Sequence, residues 1–195
     1  MSRRSTTFVV CALALLLTAC AQVTTKPPIL SGGPGDHAEL QAIKVADQED
    51  RKPGANIDWS KVGQRDRDRL KRVRELVAAG ELRTAVDFFN AALVCQHGPD
   101  LANIRLAHAL ATVSATIDAS ATSASWLSAA SWDRLLMRMG KPQWYGTQFT
   151  RAKTADARWE LYTIDETAVT DEERKRLGVP ILAEARQRAE KLNQK

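Results

Sequence analysis

His97 lies where an apolar helical run, AALVCQ, gives way to Gly98-Pro99, and Gln96 stands beside it. Imidazole is the side chain whose ordinary titration range falls near neutrality, so any proton-moving role in this chain goes to it first. A carboxylate next to the ring would hold it in place, an arrangement common in hydrolases. Two aspartates are candidates. Asp47 opens the run DQEDR, and Asp133 sits in Trp132-Asp133-Arg134. A further polar cluster follows in KPQWYGTQF at 141–149. Glutamine amides donate and accept hydrogen bonds but move no protons at neutral pH, so Gln143 and Gln148 are suited to recognition. Tyr145 and Trp144 offer flat faces to a sugar, a ring or an acyl group. The candidate binding set is therefore Gln96, Arg134, Gln143, Tyr145, Thr147 and Gln148. The candidate catalytic set is His97, Asp133 and Asp47. A mechanical reading competes with both. Gln143 and Gln148 then bond to backbone at helix ends, Trp144 and Tyr145 pack as a lid, Gly146 turns the chain at positive φ, and Asp133 and Arg134 satisfy the loop.

Other chemistries find no pattern. There is no glycine-rich phosphate loop, no G-x-S-x-G and no H-E-x-x-H. His37, His97 and His108 lack metal spacing, so no metal and no cofactor is expected. His108 reads as packing or surface on its helix.

The elements that must carry these residues follow from hydrophobic period. A first helix runs from about 37 to 51, ended by Pro53-Gly54. Residues 64–79 form a helix with Leu70, Val73, Leu76 and Val77 on one stripe, stopped by Gly80. Residues 84–96 form another, with Val86, Phe89, Leu93 and Ala92 facing inward. Asp100 caps a helix to about 116, and a fourth spans about 124–139. Short connections make these helices antiparallel neighbours. The pairs 64–96 and 101–139 resemble helical-hairpin repeats such as tetratricopeptide units, with an incomplete signature. The period then changes. Residues 158–164 alternate as a strand, and 146–151 pair with it in a small late β-hairpin. Thr170 to Glu173 is a capping box, and Pro180 fits the first turn of a last helix with Leu182, Ala185, Ala189 and Leu192 inward. The expected fold is mainly α, with helical hairpins and one small β-hairpin.

The N-terminus reads as an address. Arg3 and Arg4 precede an apolar run, FVVCALALLLT, that falls short of the roughly 20 apolar residues a membrane span needs. The run ends in Leu17-Thr18-Ala19-Cys20, which closely resembles the bacterial lipoprotein box. That resemblance implies lipidation of Cys20, cleavage before it and acylation of the new amino group. Residues 1–19 are then a signal peptide, 20–36 a lipidated cysteine and flexible tether, and 37–195 a single mostly helical domain. Each buried methylene of a lipid chain contributes about 0.8 kcal/mol, so a triacylated Cys20 stays in the membrane. Ala21 after the cysteine, rather than Asp, favours the outer membrane of a Gram-negative envelope. Of the three cysteines, Cys11 leaves with the signal and Cys20 carries lipid. Cys95 remains, in an apolar helical run that suggests a buried, inert thiol. The formal charge of +5 falls once Arg3 and Arg4 are removed, and its signs are interspersed, which argues against nucleic acid. The partners expected are the membrane, through Cys20, and a small ligand or an envelope protein.

The combination of DQ-x-x-R, QH, DR and G-x-P-Q-x-Y-G-T-Q, followed by R-x-x-x-G-V-P, resembles an uncharacterised bacterial domain family over about 46–192. The resemblance implies a largely α fold and marks these polar residues. It implies no activity. Three functions stay open: a lipid-anchored binding module with a polar site under the GTQ loop; an envelope hydrolase or transferase using His97 with Asp133 or Asp47; and a structural helical scaffold.

Overall fold

The computed structural model describes residues 35–52, 57–154 and 156–194. Residues 1–34, with the proposed signal peptide, Cys20 and most of the proposed tether, lie outside the described residues. The described residues all belong to one compact unit, Gly32–Lys195.

The fold is mainly α. The helices are α1 (Ala38–Glu49), α2 (Trp59–Ala78), α3 (Ala85–Gln96), α4 (Leu101–Ile117), α5 (Thr122–Arg138), α6 (Asp171–Arg176) and α7 (Leu182–Leu192). Two short strands, β1 (Phe149–Thr150) and β2 (Glu160–Leu161), pair antiparallel, with Phe149 opposite Leu161. The β-hairpin is thus present where expected, but the strand foreseen over 158–164 shrinks to two residues. An isolated parallel bridge between Gln143 and Ile164 extends it.

α3 is the central helix. It packs most extensively on α4, which packs in turn on α5, while α1 and α2 both lie on α3. Small residues make this close approach possible: Ala91, Ala92, Cys95, Ala107 and Ala111 are all fully buried. Larger side chains fill the seams, among them Leu40, Ile104 and Leu127. Each contributes roughly 1.5–3 kcal/mol by leaving water. The inward face of α3 differs from the expected one. Val86 is 42% exposed, and Phe89 and Leu93 are only half-buried. Ala92 is buried as expected, and the rest of the buried face is Asp87, Asn90, Ala91, Val94, Cys95 and Gln96. Hydrophobicity alone favours the largest apolar side chains for the core, but helix–helix contact here selects the smallest.

Capping explains the other boundaries. α2 begins at Trp59, earlier than the expected residue 64, because the Asp58 carboxylate accepts from Ser60 N–H at 3.1 Å. α3 starts behind a capping box of Thr84 and Asp87, and α4 behind Asp100. Pro180 precedes α7 rather than sitting in its first turn, since Ile181 is the N-cap.

Two features tie α1 down. The buried Asp87 carboxylate accepts from the backbone N–H of His37 at 2.8 Å and of Arg83 and Thr84 at 3.0 Å each. Burial pushes its titration up, but these donors pull it further down, so it stays a carboxylate. On the other flank, Asp50 accepts from Arg65 at 2.7 Å and from Arg69 at 2.6 Å, both on α2. The Arg65 hydrogen bonds, followed by those of Arg69, hold its carboxyl down at about 2. A depressed folded-state value stabilises the fold above the unfolded value near ~4 and is lost as pH falls toward the folded one. Thermal melts between pH 5 and pH 2.5 should therefore show a shallower acid destabilisation in Asp50→Asn than in the parent. Identical slopes would remove Asp50 as the acid-sensitive tie.

Cys95 has no exposed surface, and burial pushes its thiol up to about 12, against a smaller downward pull from Arg74. No helix among the described residues is long and apolar enough to cross a membrane.

Candidate functional site

The C-terminal ends of α3 and α5 meet α7 and β1 around a cavity of about 520 Å³. Gln96, His97, Arg134, Thr147 and Gln148 all line it. These residues are far apart in sequence and come together because α3 and α5 run side by side in the same direction, with α4 returning between them. Gln48, from the end of α1, joins them. Trp126, Trp159 and Phe149 supply aromatic walls, and Arg188 of α7 lies over the Phe149 ring at 5.6 Å.

His97 is oriented by Asp47. Its Nδ1 is 2.9 Å from Asp47 Oδ2 and 3.1 Å from Oδ1. A carboxylate requires a donor, so the neutral ring carries its proton on Nδ1 and leaves a lone pair on Nε2. Nε2 finds no hydrogen-bond partner among the described residues, and the side chain is 19% exposed where it lines the cavity. Asp47 itself is 1% exposed. It also accepts from Arg51 Nη1 at 3.0 Å and from Gln48 Nε2 at 2.8 Å. Arg51 reaches on to Asp66 at 2.5 Å, and Arg69 bridges Asp66 to Asp50. The imidazole therefore stands at the end of an alternating chain of charges between α1 and α2, which fixes the carboxylate that fixes the ring.

Arg134 is the exceptional group. Its Nη1 donates to the Gln96 carbonyl at 3.1 Å, capping the end of α3. Its Nε is buried and has no partner, and no carboxylate pairs with it among the described residues. Burial, then the nearby cations of Arg138 and Arg51, depress its titration below the usual guanidinium range. Gln96, 5% exposed, likewise keeps a buried Oε1 without a partner. Among the described residues, the cavity lining contains no acidic side chain. Buried polar atoms are normally satisfied, so these two orphans behind the cavity wall are costly to the fold.

The remaining site candidates are structural. Asp133 is fully buried and does not reach His97. Its Oδ1 accepts from the N–H groups of Trp144 at 2.8 Å and Tyr145 at 2.9 Å, and its Oδ2 from the N–H (3.0 Å) and hydroxyl (2.8 Å) of Thr147. All its acceptor capacity goes to the loop, which removes it as a catalytic partner. Gln143 is also fully buried. Its amide donates to the carbonyls of Gln148 and Tyr162 and accepts from Gln148 N–H at 2.8 Å, so it recognises only its own chain. Tyr145 does not line the cavity; burial, ahead of the Asp133 and Glu173 charges, pushes its phenol up. Gln148 is divided: its amide donates to the Ala130 carbonyl at 3.2 Å, yet the side chain borders the cavity. The mechanical reading thus holds for Asp133 and Gln143, and fails for Arg134, which serves α3 rather than the loop.

Sequence reasoning missed Arg174, Gln48 and the aromatic walls. Arg174, 2% exposed, donates to the carbonyls of Trp144 at 2.9 Å, Tyr145 at 3.2 Å and Val169 at 3.2 Å. The loop is clamped between a carboxylate that takes its N–H groups and a guanidinium that takes its carbonyls. Nothing in the capping-box segment separates Arg174 from its solvated neighbours. Gln48 had a signal, its place in DQ-x-x-R. Gly146 turns this loop at φ 84°, and a Cβ there would lie 3.4 Å from Ile164 and 3.5 Å from Ala185. Gly146→Ala should cost about 1–2 kcal/mol. A denaturant titration checks this; an unchanged midpoint would refute it.

No family model, curated protein or solved structure matches this chain. The geometry therefore carries the functional reading alone. The DQ-x-x-R, QH, DR and GTQ segments each contribute at least one residue to the cavity wall or to the His97–Asp47 pair. Among the described residues, no group of three or more metal-ligating side chains comes together.

Proposed function

We propose that this chain is a lipid-anchored envelope protein whose helical domain binds a small anionic ligand at Arg134. One observation carries the binding reading: a guanidinium without a carboxylate partner borders a cavity with no acidic lining. The C-terminal end of α3 opposes an anion by about 0.3–1 kcal/mol. A hydrogen bond to a charged group contributes about 1.5–3 kcal/mol, and Arg134 has Nη2 to offer, so attraction wins. The anchor rests on the Leu17-Thr18-Ala19-Cys20 box, and Ala21 supports the outer membrane.

Trp126 and Trp159 report on the cavity. Titrating butyrate into the protein should change tryptophan fluorescence saturably, more weakly at high salt, with 1-butanol inactive. A response equal for acid and alcohol would sink the anionic reading.

The pairing of His97 with Asp47 favours a second reading, a hydrolase. Thr147, the only hydroxyl in the lining, is engaged with Asp133 and Gln148, so His97 Nε2 would act as general base on water rather than on a side-chain nucleophile. With 4-nitrophenyl butyrate as probe, a hydrolase loses turnover in His97→Ala while butyrate still binds. A binder shows no turnover in either form.

A further inference from the structure

We propose that the anionic ligand is a straight-chain carboxylate, its head at Arg134 and its alkyl chain laid in a trough between α3 and α5. This rests on the anion-binding reading and extends it beyond the cavity at Arg134. That cavity does not end at Trp126. It shares Gln48, Leu93, Trp126 and Leu127 with a neighbouring cavity of about 620 Å³. That one shares Phe89, Thr122 and Ser123 with a third, of about 320 Å³, which reaches Ala85 and Val86. The three cavities follow one another along two helices, each sharing wall residues with the next.

Sequence spacing shows why. Val86, Phe89 and Leu93 fall at i, i+3 and i+7 of α3, and Thr122, Trp126, Ala130 and Arg134 at i, i+4, i+8 and i+12 of α5. Each set is one face of its helix. The small-residue core leaves part of these faces outside: Val86 is 42% exposed and Trp126 36%, with Phe89 and Leu93 half-buried. Exposed apolar surface that continues into a charged end is the shape of an amphiphile with one head. At 1.5 Å per residue, 86 to 96 spans about 15 Å. An extended alkyl chain advances ~1.25 Å per carbon, given C–C bonds near 1.5 Å in a zig-zag, so about a dozen carbons fit. An extended peptide suits the trough less well. Its walls are helices with internally bonded backbones, which offer no edge to a peptide's own N–H and C=O groups. The charge at the end fixes the head group, since the trough's lining has no carboxylate to repel it apart from Asp118 at the far end.

The test is a chain-length series of butyrate, octanoate, dodecanoate and hexadecanoate, each with its methyl ester, measured by calorimetry below micelle-forming concentrations. The segment 32–195 is used because it is one compact unit that carries α1 to α7 and both strands. A fully buried methylene tightens binding about four-fold; with one side of the trough open, about two-fold per carbon is expected, levelling off near twelve carbons. Methyl esters should bind at least ten-fold more weakly. Val86→Asp, at an exposed position in the first turn of α3 where an acidic residue favours the helix, should weaken dodecanoate several-fold and leave butyrate unchanged. Butyrate binding with no gain from chain length, or esters equal to acids, overturns the trough while leaving the short-anion result to be judged separately. If butyrate itself fails to bind, both readings fall.

Discussion

Asp133→Asn should lower the melting temperature by about 10 °C. The substitution keeps volume and hydrogen-bonding shape but replaces one oxygen with an amino group. In the parent, four donors converge on this carboxylate, which is fully buried. An asparagine oxygen can keep the Trp144 and Tyr145 N–H groups. Its amino group then faces the Thr147 N–H, donor against donor. The Thr147 hydroxyl can rotate to accept, but the backbone N–H cannot. Leaving a buried donor unmet and losing charge assistance on the others costs about 3 kcal/mol. At roughly 3 °C per kcal/mol for a domain of this size, that is the shift stated. Calorimetry reads it, and Trp144 fluorescence reports whether the loop loosens first. A melting temperature within ~2 °C of the parent would show that the loop does not depend on this carboxylate.

Arg134→Gln should move two measurements in opposite directions. Carboxylate affinity should fall by about 10- to 100-fold, the equivalent of losing one or two hydrogen bonds to a charged group. Stability should stay level or rise by about 1 kcal/mol. A guanidinium held in a wall with an unmet Nε costs desolvation that no counter-ion returns. Glutamine keeps a donor for the Gln96 carbonyl and removes the charge. Groups that weaken a fold while serving a ligand are a recurrent property of binding sites. If the variant instead loses stability with unchanged affinity, Arg134 is a helix cap and the cavity has no anion to hold.

Much of the architecture was legible because capping chemistry and hydrophobic period are local. Asp100 and Thr170 cap α4 and α6 as their types require. Period misled at α3, where Val86 and Phe89 suggested an inward face. A helix seam made of alanine and cysteine excludes bulky neighbours, and that exclusion depends on α4, which no window on α3 contains. The site was half legible. Residue types marked Gln96, His97, Arg134 and Gln148, yet two aspartates were equivalent in type and opposite in role. Asp47 orients a ring and Asp133 binds a loop; the difference lies in which backbone passes within 3 Å, a property of the assembled chain. Arg174 was illegible for the same reason, since a buried arginine and a solvated one are the same letter.

The burial of Cys95 has a consequence for the redox life of the molecule. Burial pushes this thiol up to about 12, so almost none of it is thiolate at pH 7. Mixed-disulfide exchange begins with thiolate attack, so oxidases and isomerases that act on nascent chains would find a handle here only before α3 and α4 close over the sulfur. After that moment the folded domain is inert to disulfide shuffling, and its durability owes nothing to covalent cross-links.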